Sequence, residues 1–407
     1  MPSQAPPDTH SVAGMISADH VVTAAAGRAG VDPDTVTAGQ PSWFEPLGVL
    51  VDSLNDEARL TPLGEHIVTE QLVKPLANRF AVDAWHDDHP GAADAPVVRP
   101  VFVVGLPRTG TTLLSYLLDA DPANRSLRRW EAFDAVPPPL RTAVEDGDPR
   151  VGTARAEMDG LYAASPEFGA IHHETAEGPT ECVTVLAGDL RSMQFETLAN
   201  VPSYGAWSDG CDHATAYAHH RRTLQVLQAA HDGRWVLKSP VHNLALGDLL
   251  ATYPDATLVV THRDPARVVV SLADLVRVLT GLGTDAGRNG YLGRRWSDLV
   301  ALMLDRQAAV RERLGEADRD AGRWIDVDYR RLVADPVGTV AALYGRLGWP
   351  VSDRQLERFR AYAEANPQHG RGRHDYRAAD FGLDPGELSE RFAAYRERYG
   401  VPDEPPA

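Results

Sequence analysis

One loop constrains this chain more than any other stretch: Val101-Phe-Val-Val-Gly105-Leu-Pro-Arg108-Thr109-Gly110-Thr111-Thr112. A short apolar run ends in a glycine-containing turn, and a new apolar pattern starts at Leu113, Leu114, Leu117 and Leu118. That order reads as strand, anion-cradling loop, helix. Gly105 and Gly110 have P-loop spacing and Thr112 fits its end, but Thr111 stands where the P-loop lysine belongs. In ATP and GTP hydrolases that lysine reaches the β- and γ-phosphates. Its absence points to a nucleotide with no γ-phosphate to hold, and Arg108 supplies a cation at a different point of the loop. The amides of Thr109 to Thr112 would face an anion at a helix N-terminus, where the macrodipole favours negative charge.

The rest of the chain fits an α/β fold, a P-loop-type parallel sheet flanked by helices with an N-terminal helical cap. Strands are expected at Val101–Gly105, Arg234–Leu237, Thr257–Thr261 and Trp324–Val327. Helices are expected at Thr111–Ala120, His213–His231, Asn243–Tyr253, Pro265–Leu279 and Arg330–Leu347. Alternation of this kind gives a largely parallel sheet, with the ligand at the carboxyl ends of the strands. Gly105, Lys238 and Arg263 all fall just past strand ends. Ahead of the sheet, residues 16–96 show helical patterns at Ala18–Ala29, Trp43–Leu54 and Leu63–Trp85, then a Pro/Gly-containing linker. Residues 97–402 form the expected α/β domain, residues 1–15 read as disordered, and Asp403–Ala407 reads as a loose tail.

A second element narrows the chemistry. Trp235-Val-Leu-Lys238-Ser-Pro240 is followed by Ala256-Thr-Leu-Val-Val-Thr-His262-Arg263-Asp-Pro265, and Ser271 stands eight positions after Arg263. Arg263 would leave a strand end while Ser271 lies on the next helix, so both could face one phosphate, the guanidinium with bidentate contacts. With the lysine-less loop, this resembles the sulfotransferases that use 3′-phosphoadenosine-5′-phosphosulfate (PAPS). The resemblance is closest to the actinobacterial branch with a G-L-P-R-T-G-T-T loop and an L-K-S-P element. Trp130-Glu131, Pro179-Thr-Glu181-Cys182, Asp328-Tyr329, Asp335-Pro336, His369-Gly-Arg371-Gly-Arg373-His-Asp-Tyr376 and Phe381-Gly-Leu383 extend it over nearly the whole chain.

The resemblance implies that Arg108 and Lys238 serve the bridging and sulfuryl oxygens. Thr109, Gly110, Thr111 and Thr112 would hold the 5′-phosphate. Arg263 and Ser271, with the Gly-rich Arg371/Arg373 loop, would hold the 3′-phosphate, and Tyr329 would lie near the adenine. Many family members carry lysine at the position of Arg108. The histidine base of the K-T-H element in animal enzymes is replaced by Pro240. The general base is thus open among His172, His173, His242, Glu177 and Glu181, with the His172/His173 segment preferred. His219-His220, beside Arg221-Arg222, reads as a solvated face. The alternative class is a P-loop nucleotide kinase or an inactive nucleotide-binding protein; Thr111 counts against the first, and the presence of Arg108 and Lys238 against the second.

Composition excludes several partners. Forty basic against 57 acidic residues leave a net charge of −17, which disfavours nucleic acid and anionic lipid surfaces. Two cysteines give no disulfide framework and fit a reducing compartment, and no apolar run approaches the roughly 20 residues of a membrane span. A cytoplasmic protein follows from these counts, and the resemblance implies a bacterial enzyme using PAPS without a metal on a hydroxyl or amine of a small-molecule or lipid acceptor. A homodimer contact is one use for the N-terminal helices.

Overall fold

The computed structural model describes residues 15–171, 174–284, 289–366 and 377–404. The expectations for residues 1–14, for His172 and His173, and for the Arg371/Arg373 loop lie outside the described residues. Five strands form one parallel sheet: β1 (Val101–Val103), β2 (Asn124–Ser126), β3 (Arg234–Lys238), β4 (Thr257–His262) and β5 (Trp324–Asp328). Their spatial order is β2-β3-β1-β4-β5. Val101 sits opposite Val236 of β3 and Thr257 of β4, which places β1 at the centre. Successive connections run first to one side of β1 and then to the other, so a crevice opens at the carboxyl ends of β1, β3 and β4.

The alternation of side chains along each strand divides the core. Val101, Val103, Val236 and Val259 pack on one face with Leu114, Leu117 and Leu118. Phe102, Trp235, Leu237 and Leu258 pack on the other with Leu224 and Leu227. The principal helices are α1 (Ala18–Ala29), α2 (Phe44–Glu57), α3 (Pro62–Asp88), α4 (Thr111–Asp119), α5 (Pro149–Ala164), α6 (Ala214–Gln228), α7 (Pro265–Thr280), α8 (Asn289–Asp320, broken at Gly315), α9 (Tyr329–Ala334) and α10 (Pro336–Leu347). Several start where the sequence carries a cap followed by proline. The Thr61 side chain accepts from the Gly64 amide ahead of α3, and Asp264 accepts from Ala266 ahead of α7.

Helices α1 to α3 form their own apolar cluster around Trp43, Leu50, Leu72, Leu76 and Phe80, and Leu190, Phe195 and Tyr204 join it from later in the chain. The cap is thus fastened by segments lying between β2 and β3. Its first turn of α3 is also tied to the end of α7, where the Thr61 amide donates to the Gly283 carbonyl at 2.9 Å. A Cβ on Gly64 would lie 2.7 Å from Gly283 Cα, so these two backbones meet only because both residues are glycine.

Three expectations need correction. The expected helix Arg330–Leu347 is two helices, because Pro336 cannot continue the hydrogen-bond ladder and Asp335 turns out to cap α10 at Gly338, 2.9 Å away. His219 and His220 are 2% and 0% exposed, not a solvated face, since α6 lies between the sheet and the cap. The tail is tied down as far as Glu404, whose amide donates to Asp264 Oδ2 at 2.6 Å.

Candidate active site

The loop after β1 is held by backbone and threonine contacts. Thr109 is fully buried, and its Oγ1 lies 2.6 Å from both the Leu106 carbonyl and Thr261 Oγ1 on β4. Its side chain therefore staples the loop to the sheet, leaving only its backbone for a ligand. Arg108 and Gly110 both take left-handed conformations, φ 64° and 84°, and turn the chain sharply into α4. Gly110 as N-cap offers no side chain to the first amides of α4, which stay available to an anion at the positive end of the helix. Thr111, Thr112 and Leu113 line a cavity of about 890 Å³ at this point.

The two motifs converge here, with Arg108 and Arg263 155 residues apart in sequence. Arg108 Nε donates to Ser271 Oγ at 3.2 Å, and Arg263 Nη1 donates to the Arg108 carbonyl at 3.0 Å. The Arg263 guanidinium lies over the Tyr329 ring, 4.4 Å from its centroid. Tyr329 in turn covers Gly110, where a Cβ would stand 3.0 Å from the ring. Arg108, Gly110, Thr111, Thr112, Arg263 and Tyr329 all line the same cavity. The other side of Arg263 carries an ion pair the sequence did not suggest, with Glu404 at 3.0 Å.

Lys238, the last residue of β3, is 1% exposed and stands just behind the cavity wall. Its Nζ donates to Glu181 Oε1 at 2.8 Å, and Ser239 Oγ donates to Glu181 Oε2 at 3.0 Å. Burial alone would lower the Lys238 pKa, but the Glu181 and Glu174 carboxylates outweigh it and hold the ammonium above the ordinary lysine value. Glu181 itself lines the cavity. Glu174 lines it too, 5% exposed, paired with Arg129 at 2.9 Å and bonded to Thr180 Oγ1. Sequence reasoning missed Arg129 as a wall residue, although the neighbouring Trp130-Glu131 pair marked the segment.

The remaining base candidates separate cleanly. His242 is 0% exposed, with Nδ1 2.7 Å from the Tyr217 hydroxyl and its ring edge-on to Phe102. Burial pushes its pKa well below the usual value. That placement corrects the expectation of His242 as a base: it belongs to the core under the sheet and does not reach the cavity. Glu177 is bound by Arg155 and is absent from the cavity wall. His172 and His173 fall outside the described residues. Among the described residues no group of three or more His, Cys, Asp or Glu side chains is placed to hold a metal, and no helix is long and apolar enough to cross a membrane.

Fold and loop geometry define an α/β protein that presents a helix N-terminus without a side-chain cap, two arginines and a lysine–carboxylate pair at the ends of three parallel strands. Residues 100–353 match the family described as the sulfotransferase family, and the chain belongs to it. It is similar to sulfotransferase STF9 from Mycobacterium avium, with 30% identity and a TM-score of 0.85 over 98% of this chain and 100% of that one. Sulfotransferase STF1 from Mycobacterium tuberculosis is 34% identical with a TM-score of 0.80, covering 93% of this chain and 99% of that one. The omega-hydroxy-beta-dihydromenaquinone-9 sulfotransferase Stf3 of Mycobacterium tuberculosis is 24% identical over 74% of this chain and 75% of its own length.

Proposed function

We propose that this sulfotransferase moves the sulfuryl group of PAPS to a hydroxyl of a small-molecule or lipidic acceptor, releasing adenosine 3′,5′-bisphosphate (PAP). The observation that carries the reading is the meeting of Arg108, Ser271 and Arg263 beside an uncapped helix N-terminus whose loop lacks the P-loop lysine. A bisphosphate nucleotide needs two anion sites, and this arrangement supplies both. The amides and hydroxyls of Thr111 and Thr112 take the 5′-phosphate. Arg263 and Ser271 take the 3′-phosphate, with Tyr329 beside the base, and Arg371 and Arg373 join them on sequence grounds alone.

Transfer is in line: the bond from the acceptor oxygen to sulfur forms as the bond from sulfur to the 5′-phosphate oxygen breaks. The protein's part is positioning and charge stabilisation on the departing oxygen. Arg108 and Lys238 supply that charge. Arg108 keeps its proton throughout, so proton delivery to the leaving oxygen, where any occurs, falls to Lys238. Of the base candidates whose positions are described, Glu181 alone lines the cavity, within hydrogen-bond reach of Lys238, and it takes the acceptor proton. A lipidic acceptor is in keeping with the name of the Stf3 relative, which specifies a hydroxylated dihydromenaquinone.

Isothermal titration of the purified protein with PAP, with ATP as control, tests the reading. Micromolar or tighter PAP binding with no ATP binding is expected. Preference for ATP, or no PAP binding, overturns it.

A further inference from the structure

The cavity does not end at the nucleotide loop. From Ser271, which bonds Arg108, the wall continues along α7 through Leu272, Leu275 and Leu279, one face of the helix at i, i+3 and i+7. Leu63, Ile67 and Gln71 of the cap helix α3 also line it, again on one face. At 1.5 Å per residue each face runs for about 10 Å or more. Where α3 begins, the two helices are joined by the Thr61–Gly283 hydrogen bond and the Gly64–Gly283 backbone contact.

Among the described residues the charged groups of the cavity wall are Arg108, Arg129, Glu174, Glu181 and Arg263. All belong to the strand-end side or are paired with one another. The two amides farther in, Gln71 and Gln194, hydrogen-bond each other at 3.2 Å. Met158 and Met193 also line it, with side chains that adapt to an irregular apolar occupant. Leu63 is 59% exposed, an apolar side chain left open at the rim.

Resting on the sulfotransferase reading above, we infer that the acceptor is an uncharged hydroxyl compound whose apolar body, about 10 Å or longer, lies between α3 and α7 with its hydroxyl toward Glu181. A sugar or an anion in this chamber would leave its polar groups without partners, whereas an extended hydrocarbon or prenyl body buries against leucine on both sides. The cap helices thus set acceptor class, and the loops of the sheet set the nucleotide.

The test uses the full chain saturated with PAP and a series of linear primary alcohols from hexanol to dodecanol, with trehalose as the polar control. Affinity is measured by displacement of a fluorescent apolar dye. The expected result is a rise of roughly fourfold per methylene until the chamber is filled, with no binding of trehalose. Leu279→Trp and Ile67→Trp, both at half-buried positions facing the chamber, should halt the rise at a shorter chain while PAP affinity stays at the wild-type value. Affinity independent of chain length, trehalose binding as strong as dodecanol, or variants with the wild-type series would each overturn the inference with PAP binding intact. Failure of the wild type to bind PAP removes the transferase reading, and the acceptor assignment with it.

Discussion

Gly105→Ala probes whether the loop depends on the close approach of β1 and β4. A Cβ there would stand 2.7 Å from the Thr261 carbonyl oxygen and 2.8 Å from Thr109 Oγ1, and closer still to Thr261 Oγ1. None of these atoms is the free end of a flexible side chain. Thr261 is fixed in β4, which pairs with β1 on one side and β5 on the other. Thr109 is held by two bonds of 2.6 Å. Overpacking of a dense site costs about 1–3 kcal/mol, and a buried hydrogen bond forced open adds about 1–2 kcal/mol. The sum is about 4 kcal/mol. For 407 residues the unfolding entropy is about 0.9 kcal/mol per kelvin, so the midpoint should fall by about 4–5 °C.

The same displacement moves the amides that face the cavity, and a misplacement on the scale of 1 Å costs on the order of a hundredfold in a site of this kind. Scanning calorimetry and PAP titration on Gly105→Ala, Thr261→Ala and the double variant measure both effects. Thr261→Ala removes one of the clashing atoms, so the double variant should recover about 2 kcal/mol relative to the sum of the singles. A Gly105→Ala protein with wild-type midpoint and PAP affinity would refute the reasoning, and so would strict additivity of the pair.

Other outcomes follow from the same geometry. Arg108→Ala and Lys238→Ala should each reduce transfer by about 10²–10³-fold or more, whereas Arg263→Ala should weaken PAP by about 10–100-fold and leave the rate at saturating PAPS nearly unchanged; equal, full activity in all three would remove the assignment. Glu404→Gln frees the face of Arg263 that the tail carboxylate now occupies. It should tighten PAP about two- to fivefold at low salt and less at high salt, as expected for a partly exposed pair; an unchanged constant at both ionic strengths would contradict this. His219, His220 and His242 are buried and their pKa values are lowered by desolvation, that of His220 to about 3. The unfolded chain therefore binds more protons than the native one below the ordinary histidine value. For His220 the associated stability is complete above pH ~6.5 and is reduced by about 2 kcal/mol at pH 5, and His219 and His242 act in the same direction. Among the described residues neither ring nitrogen of His219 has a hydrogen-bond partner, so His219→Leu should match or exceed the wild type at pH 7.5 and show a shallower loss in urea titrations at pH 5.

Four of the five described strands, and the loop path that follows β1, were legible because each is written in consecutive residues. Gly105 to Thr112 needs only a backbone path and a helix start, and both are local properties of Gly, Pro and Thr. The start of α7 at Asp264-Pro265 is of the same kind. β2 was not legible: Asn124-Arg125-Ser126 shows no apolar alternation. It is a strand because it pairs with β3 while Arg125, 2% exposed, finds Glu131, the Leu227 carbonyl and His231. The two histidines of α6 misled for a related reason. α6 packs on the sheet on one side and against α3 on the other, which leaves exposure only at positions such as Ala214, Thr215 and Ala218, and nothing in the pattern of residues 214–228 announces the second cover.

The acceptor chamber shows how far this difference reaches. Its walls come from α3, α5, the 193–198 segment and α7, stretches separated by up to about two hundred residues, and each helix presents there only one apolar stripe. A stripe of leucine spaced for a helix face says that something apolar lies opposite, and in most proteins that is another helix. Leu272 and Leu275 touch the cavity while packing on the core cluster with Leu292 and Trp296, and Gly64 and Gly283 bring the start of α3 onto the turn after α7, fastening the two helices at one end of the cavity they line. Those two glycines therefore bear on specificity as much as on packing. Gly283→Ala should separate the helices at the seam, and the alcohol series would then lose its upper limit in chain length while PAP affinity holds; an unaltered limit would show that the seam does not close the chamber.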